Sequence, residues 1–391
     1  MDSGLQRCSR NKYKYVPMNT LVKILLIALK CLIIAFILLF SVATLMGKSY
    51  LQTGLLWLVI VAIIWWPPAI KQRWTRRAFS LSRWSLVLVL LLLSFLAFKP
   101  EPKKSIYTSD QLKKELMTVY DEKVLDWPDE TRDIYIETAY GTVHVLACGS
   151  EENPPLVMIH AASMGAHSWA ENLDPLLSHY RIYSIDNIGE GNKSVLKDAL
   201  EFPDSQKEIA EHLASVLDFL EVKSAPVFGA SNGGFVAMCY AYHYPERVES
   251  LALFGPMGLT QLSGKSFMML SIAIMYPFDF IRDKVTRWAL GEDPYIAEKY
   301  GDWFNVILRG TIPSVAQPVP MSTEQKSNMD MPVLLFLGTK DPIVGDIESA
   351  RQLALEYADI RIEVLESGHL VAVEHARYVN SVVSEFLGLS D

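Results

Sequence analysis

The chain has 391 residues, half of them hydrophobic, and a formal net charge of −8; this length allows two or three domains. The charge is unevenly distributed, because residues 1–104 carry 15 Lys and Arg against Asp2 and Glu101, a net of +13, which leaves −21 for the remaining 287 residues. An acidic larger part argues against nucleic-acid binding. The 4 cysteines have no spacing to histidine that indicates a metal site and form no disulfide framework.

Three apolar runs in the first hundred residues predict membrane-spanning helices, near residues 24–46, 51–70 and 78–98. A helix needs about 20 apolar residues to cross a bilayer. The second run ends in paired tryptophans, Trp65 and Trp66, which are typical of a membrane interface. A cleaved signal peptide is the alternative for the first run, but its apolar length and the two further runs argue against it.

Basic residues beside these runs predict the orientation of the chain in the membrane. The N-terminal tail and the second connection are rich in Lys and Arg, whereas the first connection has only Lys48. Because short cytoplasmic segments carry the excess of basic residues, we expect the N-terminus in the cytoplasm. After three crossings, residues 105–391 then lie outside the cytoplasm, as the extracytoplasmic part of a multi-pass membrane protein.

Residues 105–391 are predicted to alternate strands with helices. A polar helical pattern covers about 109–125, and two strands around Gly141 predict a hairpin. Short apolar runs typical of buried strands follow at 156–160, 182–186, 226–229, 251–255, 333–338 and 360–365. Amphipathic stretches such as 206–220 lie between them. Strands that are apolar along their length and alternate with helices indicate the α/β class, with a mostly parallel sheet covered on both faces.

A long segment at about 257–326 interrupts this alternation. It is rich in Met and aromatic residues and helical in pattern. An insertion of this length between two strands predicts a helical cap. Packing over the edge of the sheet is the alternative role.

The stretch G-A-S-N-G, from Gly229 to Gly233, places Ser231 between a predicted strand and a predicted helix. In a G-x-S-x-G turn the serine has a strained backbone, bulky neighbours would clash, and the hydroxyl projects above the sheet. The amides that follow, beginning at Asn232, lie at a helix N-terminus and can stabilise an oxyanion. The alternative interpretation is a plain tight turn.

A nucleophilic serine needs a base, and the base needs an acid that orients it. Asp341 follows one predicted strand and His369 follows the last one. The order Ser231, Asp341, His369 is the order found after G-x-S-x-G elbows of this kind. Asp346 is a second candidate for the acid, and Asp341 could instead serve only to form a turn. The other downstream histidine, His375, falls within the final helical stretch.

Residues from about 130 to 388 resemble the α/β-hydrolase superfamily, in particular its capped serine esterases and lipase-like members. The resemblance rests on ordered motifs: I-H-A-A-S-M-G-A-H-S-W at 159–169, D-N-I-G-E-G-N-K-S at 186–194, G-A-S-N-G-G at 229–234, G-T-K-D-P at 338–342 and S-G-H at 367–369. The sequence departs from the family at Ala161, where a glycine usually follows the histidine.

The resemblance implies further roles for residues around the serine. The oxyanion hole would be formed by the backbone amides of Ala162 and Asn232. His160 would support the loop that carries Ala162, and Gly229 and Gly233 would support the turn at the serine. No metal and no cofactor are expected.

We therefore expect a membrane-anchored serine hydrolase that cleaves a carboxylic ester through a Ser-His-Asp triad and an acyl-enzyme. The expected partners are a small-molecule ester, with lipid-like esters among the options, and the membrane. Cleavage of another acyl bond, such as an amide, a thioester or a C–C bond, is the alternative activity. An inactive hydrolase domain that serves as a binding module is the alternative outside enzymes.

Overall fold

The computed structural model describes residues 105–260, 266, 269, 279–290 and 294–389. These residues belong to one compact unit, Pro102–Asp391. The predicted spans near 24–46, 51–70 and 78–98 lie outside the described residues. Within the described ranges, every helix is too short or too polar to cross a membrane.

A nine-stranded sheet is the centre of the described structure. Its order is β1-β2-β4-β3-β6-β7-β8-β9, and β5 pairs with β2. β2 is antiparallel to β1, β4 and β5, and the other pairings are parallel. This topology confirms the predicted hairpin and the mostly parallel sheet. The strands are β1 Arg132–Glu137, β2 Gly141–Cys148, β3 Pro155–Ile159, β4 Arg181–Ile185, β5 Val195–Leu196, β6 Ala225–Ala230, β7 Val248–Phe254, β8 Val333–Gly338 and β9 Ile360–Leu365.

Helices connect most of the parallel strands. The described α-helices are α1 Asp110–Val124, α2 Gln206–Phe219, α3 Asn232–His243, α4 Asp279–Leu290, α5 Pro294–Gly310, α6 Thr323–Ser327, α7 Ile347–Ala354, α8 Val371–Glu374 and α9 Ala376–Phe386. Two short 3-10 helices are present at Ala166–Asn172 and Pro245–Arg247.

Local sequence sets where the longer helices begin. Ser109 precedes α1, and its hydroxyl accepts a hydrogen bond from the Leu112 amide. Ser205 and Glu208 form a reciprocal capping box at the start of α2. Both serines satisfy amides that would otherwise lack a partner at the helix N-terminus. The helices therefore begin close to the positions that the sequence pattern predicts.

Each face of the sheet is buried under helices. Successive side chains of a strand point to opposite faces, so Val157 and Ile159 of β3 pack on one face with α2 and α3. Leu156 and Met158 pack on the other face with the 3-10 helix Ala166–Asn172 and with α9. Burial on both sides explains why the central parallel strands, such as β3 and β8, are apolar along their length. The α/β class predicted from the sequence is confirmed.

A third apolar cluster joins α1 to α5. Leu116 and Tyr120 of α1 pack against Trp303 and Ile307 of α5 in this cluster. α4, α5 and α6 follow β7 in the chain and precede β8, within the segment predicted to be a cap. Part of that segment lies outside the described residues, and its role as a cap stays a prediction.

Candidate active site

Ser231 lies at a sharp turn between β6 and α3. Its backbone has φ 51° and ψ −116°, a conformation that costs free energy in a residue other than glycine. Backbone hydrogen bonds hold it there. The Ser231 amide donates to the Phe254 carbonyl at 3.0 Å, and the Ser231 carbonyl accepts from the Met257 amide at 2.9 Å. Residues at the end of β7 therefore keep the turn in its strained form.

Two glycines beside the serine allow backbones to approach closely. A Cβ on Gly233 would lie 2.2 Å from the Ile159 carbonyl oxygen and 2.4 Å from that of His160. A Cβ on Gly229 would lie 2.5 Å from the Gly233 carbonyl oxygen. Neither contact can be relieved by moving a side chain. These glycines therefore let α3 begin directly against the ends of β3 and β6.

The structure brings Ser231, His369 and Asp341 into one hydrogen-bonded chain. Ser231 Oγ is 2.8 Å from His369 Nε2, and His369 Nδ1 is 2.7 Å from Asp341 Oδ2. All three side chains are buried. They follow the carboxyl ends of β6, β9 and β8, which share one edge of the sheet because these strands are parallel. Residues far apart in sequence thereby come into contact.

The two oxygens of Asp341 have separate partners. Oδ1 accepts from the amides of Ile343 at 2.7 Å and Val344 at 3.0 Å, and Oδ2 faces the imidazole. Because a carboxylate only accepts hydrogen bonds, this network assigns the ring proton to His369 Nδ1 and leaves Nε2 to accept from the Ser231 hydroxyl. The acid therefore fixes the tautomer that a general base at Nε2 requires.

The pKa of His369 lies above its usual value. Burial alone would lower it, but the charge of Asp341 and its hydrogen bond to the ring outweigh burial, and Glu374 adds to the rise.

Glu374 also fixes the loop before the histidine. Its Oε2 accepts from the Gly368 amide at 2.8 Å and from the Ser367 hydroxyl at 3.0 Å.

Asp346 and His375 lie elsewhere. Asp346 is exposed and caps α7, accepting from the amides of Glu348 and Ser349. His375 lies between α8 and α9, with Nε2 3.2 Å from the Glu366 carbonyl. Of the two candidate acids, Asp341 is the one that contacts His369.

His160 fixes the loop that follows β3. Its Nε2 accepts from the Asn187 amide at 2.9 Å and lies 3.0 Å from Asn192 Nδ2. The ring proton is therefore on Nδ1, which donates to the Ala161 carbonyl at 2.7 Å. The Met164 amide also donates to that carbonyl, at 3.0 Å.

These bonds determine the direction of the Ala162 amide. The Ala161 carbonyl and the Ala162 N–H belong to one trans peptide and point in opposite directions. Because the carbonyl is turned toward His160, the Ala162 N–H points away from it, and Ala162 is exposed whereas Ala161 is buried. The role of Ala162 and Asn232 in an oxyanion hole stays a prediction.

The departure from the family pattern at Ala161 has a simple explanation. Among the described residues, the non-glycine residues with positive φ are Ser163, Glu221 and Ser231. The left-handed position of this loop therefore falls on Ser163, where φ is 57°. Ala161 does not need the backbone freedom of glycine.

Glu190 is a buried residue of the site that the sequence analysis missed. It is 1% exposed, and it accepts from the Ser163 amide at 2.8 Å and from Asn232 Nδ2 at 2.8 Å. Burial raises the pKa of Glu190, and the donors around it oppose that rise. The sequence feature that could have indicated Glu190 is a charged residue between two glycines, in G-E-G at 189–191.

Metal ions in proteins are held by clusters of His, Cys, Asp or Glu side chains. In the part of the chain that the structure describes, no group of three or more His, Cys, Asp or Glu is placed to hold one.

Comparison with known proteins identifies similar sequences and structures. A family model described as the alpha/beta hydrolase fold matches residues 154–290. The uncharacterized carboxylesterase nap of Bacillus subtilis is 29% identical over 288 residues, which cover 68% of this chain and 90% of the relative. Carboxylesterase YbfK of the same species is 25% identical over 286 residues, which cover 68% and 92%.

A solved structure agrees with these sequence relatives. The crystal structure of naproxen esterase (carboxylesterase NP) from Bacillus subtilis superposes with a TM-score of 0.66 at 27% identity. The match covers 71% of this chain and 99% of that chain. The similarity extends along nearly the full length of the relative.

The close approach at Gly233 generates a stability prediction. Gly233→Ala places a Cβ against two backbone oxygens at the end of β3, and relieving such overpacking costs about 1–3 kcal/mol. We expect the thermal unfolding midpoint of the purified full-length chain to fall.

Gly301→Ala is the matched control. Gly301 lies inside α5, and a Cβ there has nothing within 4 Å. Alanine should stabilise this helix by about 0.8–1 kcal/mol, so the midpoint should stay or rise. An unchanged midpoint for Gly233→Ala would contradict the described packing.

Proposed function

We propose that this chain hydrolyses a carboxylic ester at Ser231. It is a serine hydrolase with the α/β-hydrolase fold and carboxylesterase-like neighbours. The observation that carries the proposal is the hydrogen-bonded chain from Asp341 through His369 to Ser231. The relatives named as carboxylesterases support an ester as the substrate. The chain of hydrogen bonds supports an active enzyme over an inactive binding module.

The first half of the reaction forms an acyl-enzyme. Ser231 Oγ attacks the ester carbonyl while His369 Nε2 accepts the hydroxyl proton. Asp341 stabilises the imidazolium that results, because its Oδ2 lies 2.7 Å from Nδ1. When the tetrahedral intermediate collapses, the C–O bond to the alcohol breaks and His369 returns the proton to the leaving oxygen.

The second half uses the same residues on water. His369 removes a proton from water, the resulting hydroxide attacks the acyl carbonyl, and the bond to Ser231 Oγ breaks. The Ser231 hydroxyl regains its proton from His369, and the carboxylic acid leaves. In both halves the amides of Ala162 and Asn232 would receive the negative charge of the carbonyl oxygen. The Asn232 amide is the first of α3, where the helix dipole adds to the effect.

We further propose that three N-terminal spans hold this enzyme in a membrane with its catalytic part outside the cytoplasm. The support is the sequence of residues 1–104, with three apolar runs and basic residues flanking a connection that has only Lys48. A tether would keep the site close to lipid, so lipid-like esters are among the candidate substrates.

Substitutions at the hydrogen-bonded chain test the reaction. A fluorophosphonate probe should label the full-length chain at Ser231, and Ser231→Ala should abolish both labelling and p-nitrophenyl ester hydrolysis. Asp341→Asn should reduce kcat by a factor of about 10⁴, because the imidazole loses the acceptor that fixes its tautomer. Asp346→Asn is the control and should keep near wild-type kcat, since Asp346 only caps α7. Full activity in Ser231→Ala would refute the proposal.

A screen with esters, amides, thioesters and β-diketones of matched acyl groups separates ester hydrolysis from the other acyl-bond reactions. We expect the highest kcat/KM with esters. A higher value with one of the other classes, together with loss of that activity in Ser231→Ala, would replace the ester assignment.

The raised pKa of His369 predicts the pH dependence of the reaction. The imidazole must be neutral to accept the serine proton, and its folded-state pKa lies above the usual 6.5. The rate of Ser231 labelling should therefore fall, as pH is lowered, through a midpoint above 6.5. In Asp341→Asn the charge that raises the pKa is absent and burial prevails, so the midpoint should move to lower pH. A midpoint that does not move would contradict the electrostatic role of Asp341.

The membrane topology is tested with a reporter that functions only in the cytoplasm. Fused after Asp391, the reporter should be silent, because three crossings place that end outside the cytoplasm. A truncated chain with the reporter after Arg77 is the control and should be active, because the second connection is predicted to be cytoplasmic. Activity of the fusion after Asp391 would overturn the three-span orientation.

A further inference from the structure

The Glu190 carboxylate connects both halves of the proposed oxyanion hole. Its Oε2 accepts from the Ser163 amide at 2.8 Å, next to Ala162 in the loop after β3. Its Oε1 accepts from Asn232 Nδ2 at 2.8 Å, at the start of α3. Asn187 Nδ2 lies 3.4 Å from the same oxygen. The buried Glu190 side chain therefore holds both Ser163, which follows Ala162 in the chain, and the side chain of Asn232.

Ser163 is held from a second direction by α5. Its carbonyl accepts a hydrogen bond from Trp303 Nε1 at 2.8 Å. The indole is fully buried and lies edge-on against His167, with ring centroids 4.6 Å apart, and against Tyr120 at 5.9 Å. The donor is therefore fixed by aromatic packing. Both backbone polar groups of Ser163, a residue with φ 57°, are bonded to groups outside the loop.

We propose that Glu190 and Trp303 are positioning residues of the oxyanion hole, which act through Ser163 and Asn232 on the Ala162 and Asn232 amides. This inference rests on the proposed function. Neither residue needs to touch the substrate. Their effect is to hold the two donors at the spacing that the developing oxyanion requires.

Peptide geometry explains how Glu190 reaches the Ala162 amide. The Ala161–Ala162 peptide is fixed by the bonds of the Ala161 carbonyl to His160 and Met164. The Ala162–Ser163 peptide is fixed by the bond of the Ser163 amide to Glu190. Because peptides are planar, fixing the planes on both sides of Ala162 sets its φ and ψ. The Ala162 N–H then has one direction.

A carboxylate is the group that suits this position. Each of its oxygens accepts from an N–H donor, Ser163 on one side and Asn232 on the other. A glutamine would have to turn its own amide NH2 toward one of these donors, whichever way it is oriented. Burying the charge is unfavourable, and the N–H donors offset this cost. Glu190→Gln therefore keeps the shape of the side chain and removes one of the two bonds.

The first experiment compares Glu190→Gln with Glu356→Gln in the purified full-length chain, using a p-nitrophenyl ester. We expect Glu190→Gln to lower kcat by about 10- to 100-fold, because small misplacements of catalytic groups have effects of this size. KM should change less than about threefold, because the contacts made equally in the ground state and the transition state are retained. Glu356 forms an ion pair with the buried Lys326 at 2.6 Å, away from the oxyanion residues, and its variant should keep wild-type kcat. A kcat within twofold of wild type in Glu190→Gln, or an equal loss in Glu356→Gln, would overturn the proposal.

The second experiment removes the donor from α5. Trp303→Phe keeps an aromatic ring in the packing and loses the N–H that bonds the Ser163 carbonyl, so kcat should fall about 10-fold with little change in KM. Trp127→Phe is the control, because Trp127 Nε1 donates at 3.0 Å to the His167 carbonyl instead. Equal kcat in the two variants would overturn the role of Trp303. This pair also decides the proposal if Glu190→Gln does not fold, as judged by its thermal unfolding.

Titration with the fluorophosphonate probe separates this inference from the proposed function. A wild-type chain that neither labels at Ser231 nor hydrolyses the ester would refute both. If the wild-type chain is labelled and hydrolyses the ester, and the Glu190→Gln chain has wild-type kcat, only the positioning role is refuted. The expected result is a Glu190→Gln chain that is folded and still labelled at Ser231, but slowly, in proportion to its kcat.

Discussion

The reversal of the chain from β6 into α3 through one strained residue, Ser231, is the constraint on which the site depends. With φ at 51°, this serine is held by hydrogen bonds of its amide to Phe254, at the end of β7, and of its carbonyl to the Met257 amide. The turn is tight enough that the backbone of α3 lies against β3 and β6, where a Cβ on Gly229 or Gly233 would meet backbone atoms. The position of the serine therefore depends on the neighbouring strands of the sheet, and the parallel order of the central strands brings the other groups to the same edge.

The groups around Ser231 share one physical pattern, in which carboxylates, fully buried at Asp341 and Glu190 and partly buried at Glu374, fix N–H groups. Asp341 bonds the amides of its own turn and the Nδ1 proton of His369. Glu374 bonds the Gly368 amide, one residue before that histidine. Glu190 bonds the loop after β3 and Asn232. Ionised acceptors form stronger hydrogen bonds than neutral ones. These carboxylates therefore hold the N–H groups that they bond in fixed directions.

Much of the fold could be predicted from the sequence, because strands buried on both faces are apolar along their length and helices are amphipathic. The contact between Ser231 and His369, with a carboxylate beside the histidine, could also be predicted from the sequence, since residues after parallel strands meet at one edge. The choice between Asp341 and Asp346 could not, because both follow β8 and only the turn geometry shows that Asp346 caps a helix. Glu190 and Trp303 were missed because their partner, Ser163, is 27 and 140 residues away in the sequence.

The distribution of predictable and unpredictable residues reflects how the site is built. The groups proposed to perform the chemistry follow strand ends, where the backbone of the sheet determines their positions, and short motifs such as G-x-S-x-G indicate that backbone. Groups that hold a loop in place can come from any neighbouring element, as Trp303 does from α5, and no local pattern requires them. Since the Ala162 amide belongs to a loop and not to the sheet, its direction depends on these distant contacts. The geometry of the proposed oxyanion hole would therefore depend on tertiary packing between α5, the loop after β3 and Glu190, whereas the meeting of Ser231, His369 and Asp341 depends on the sheet.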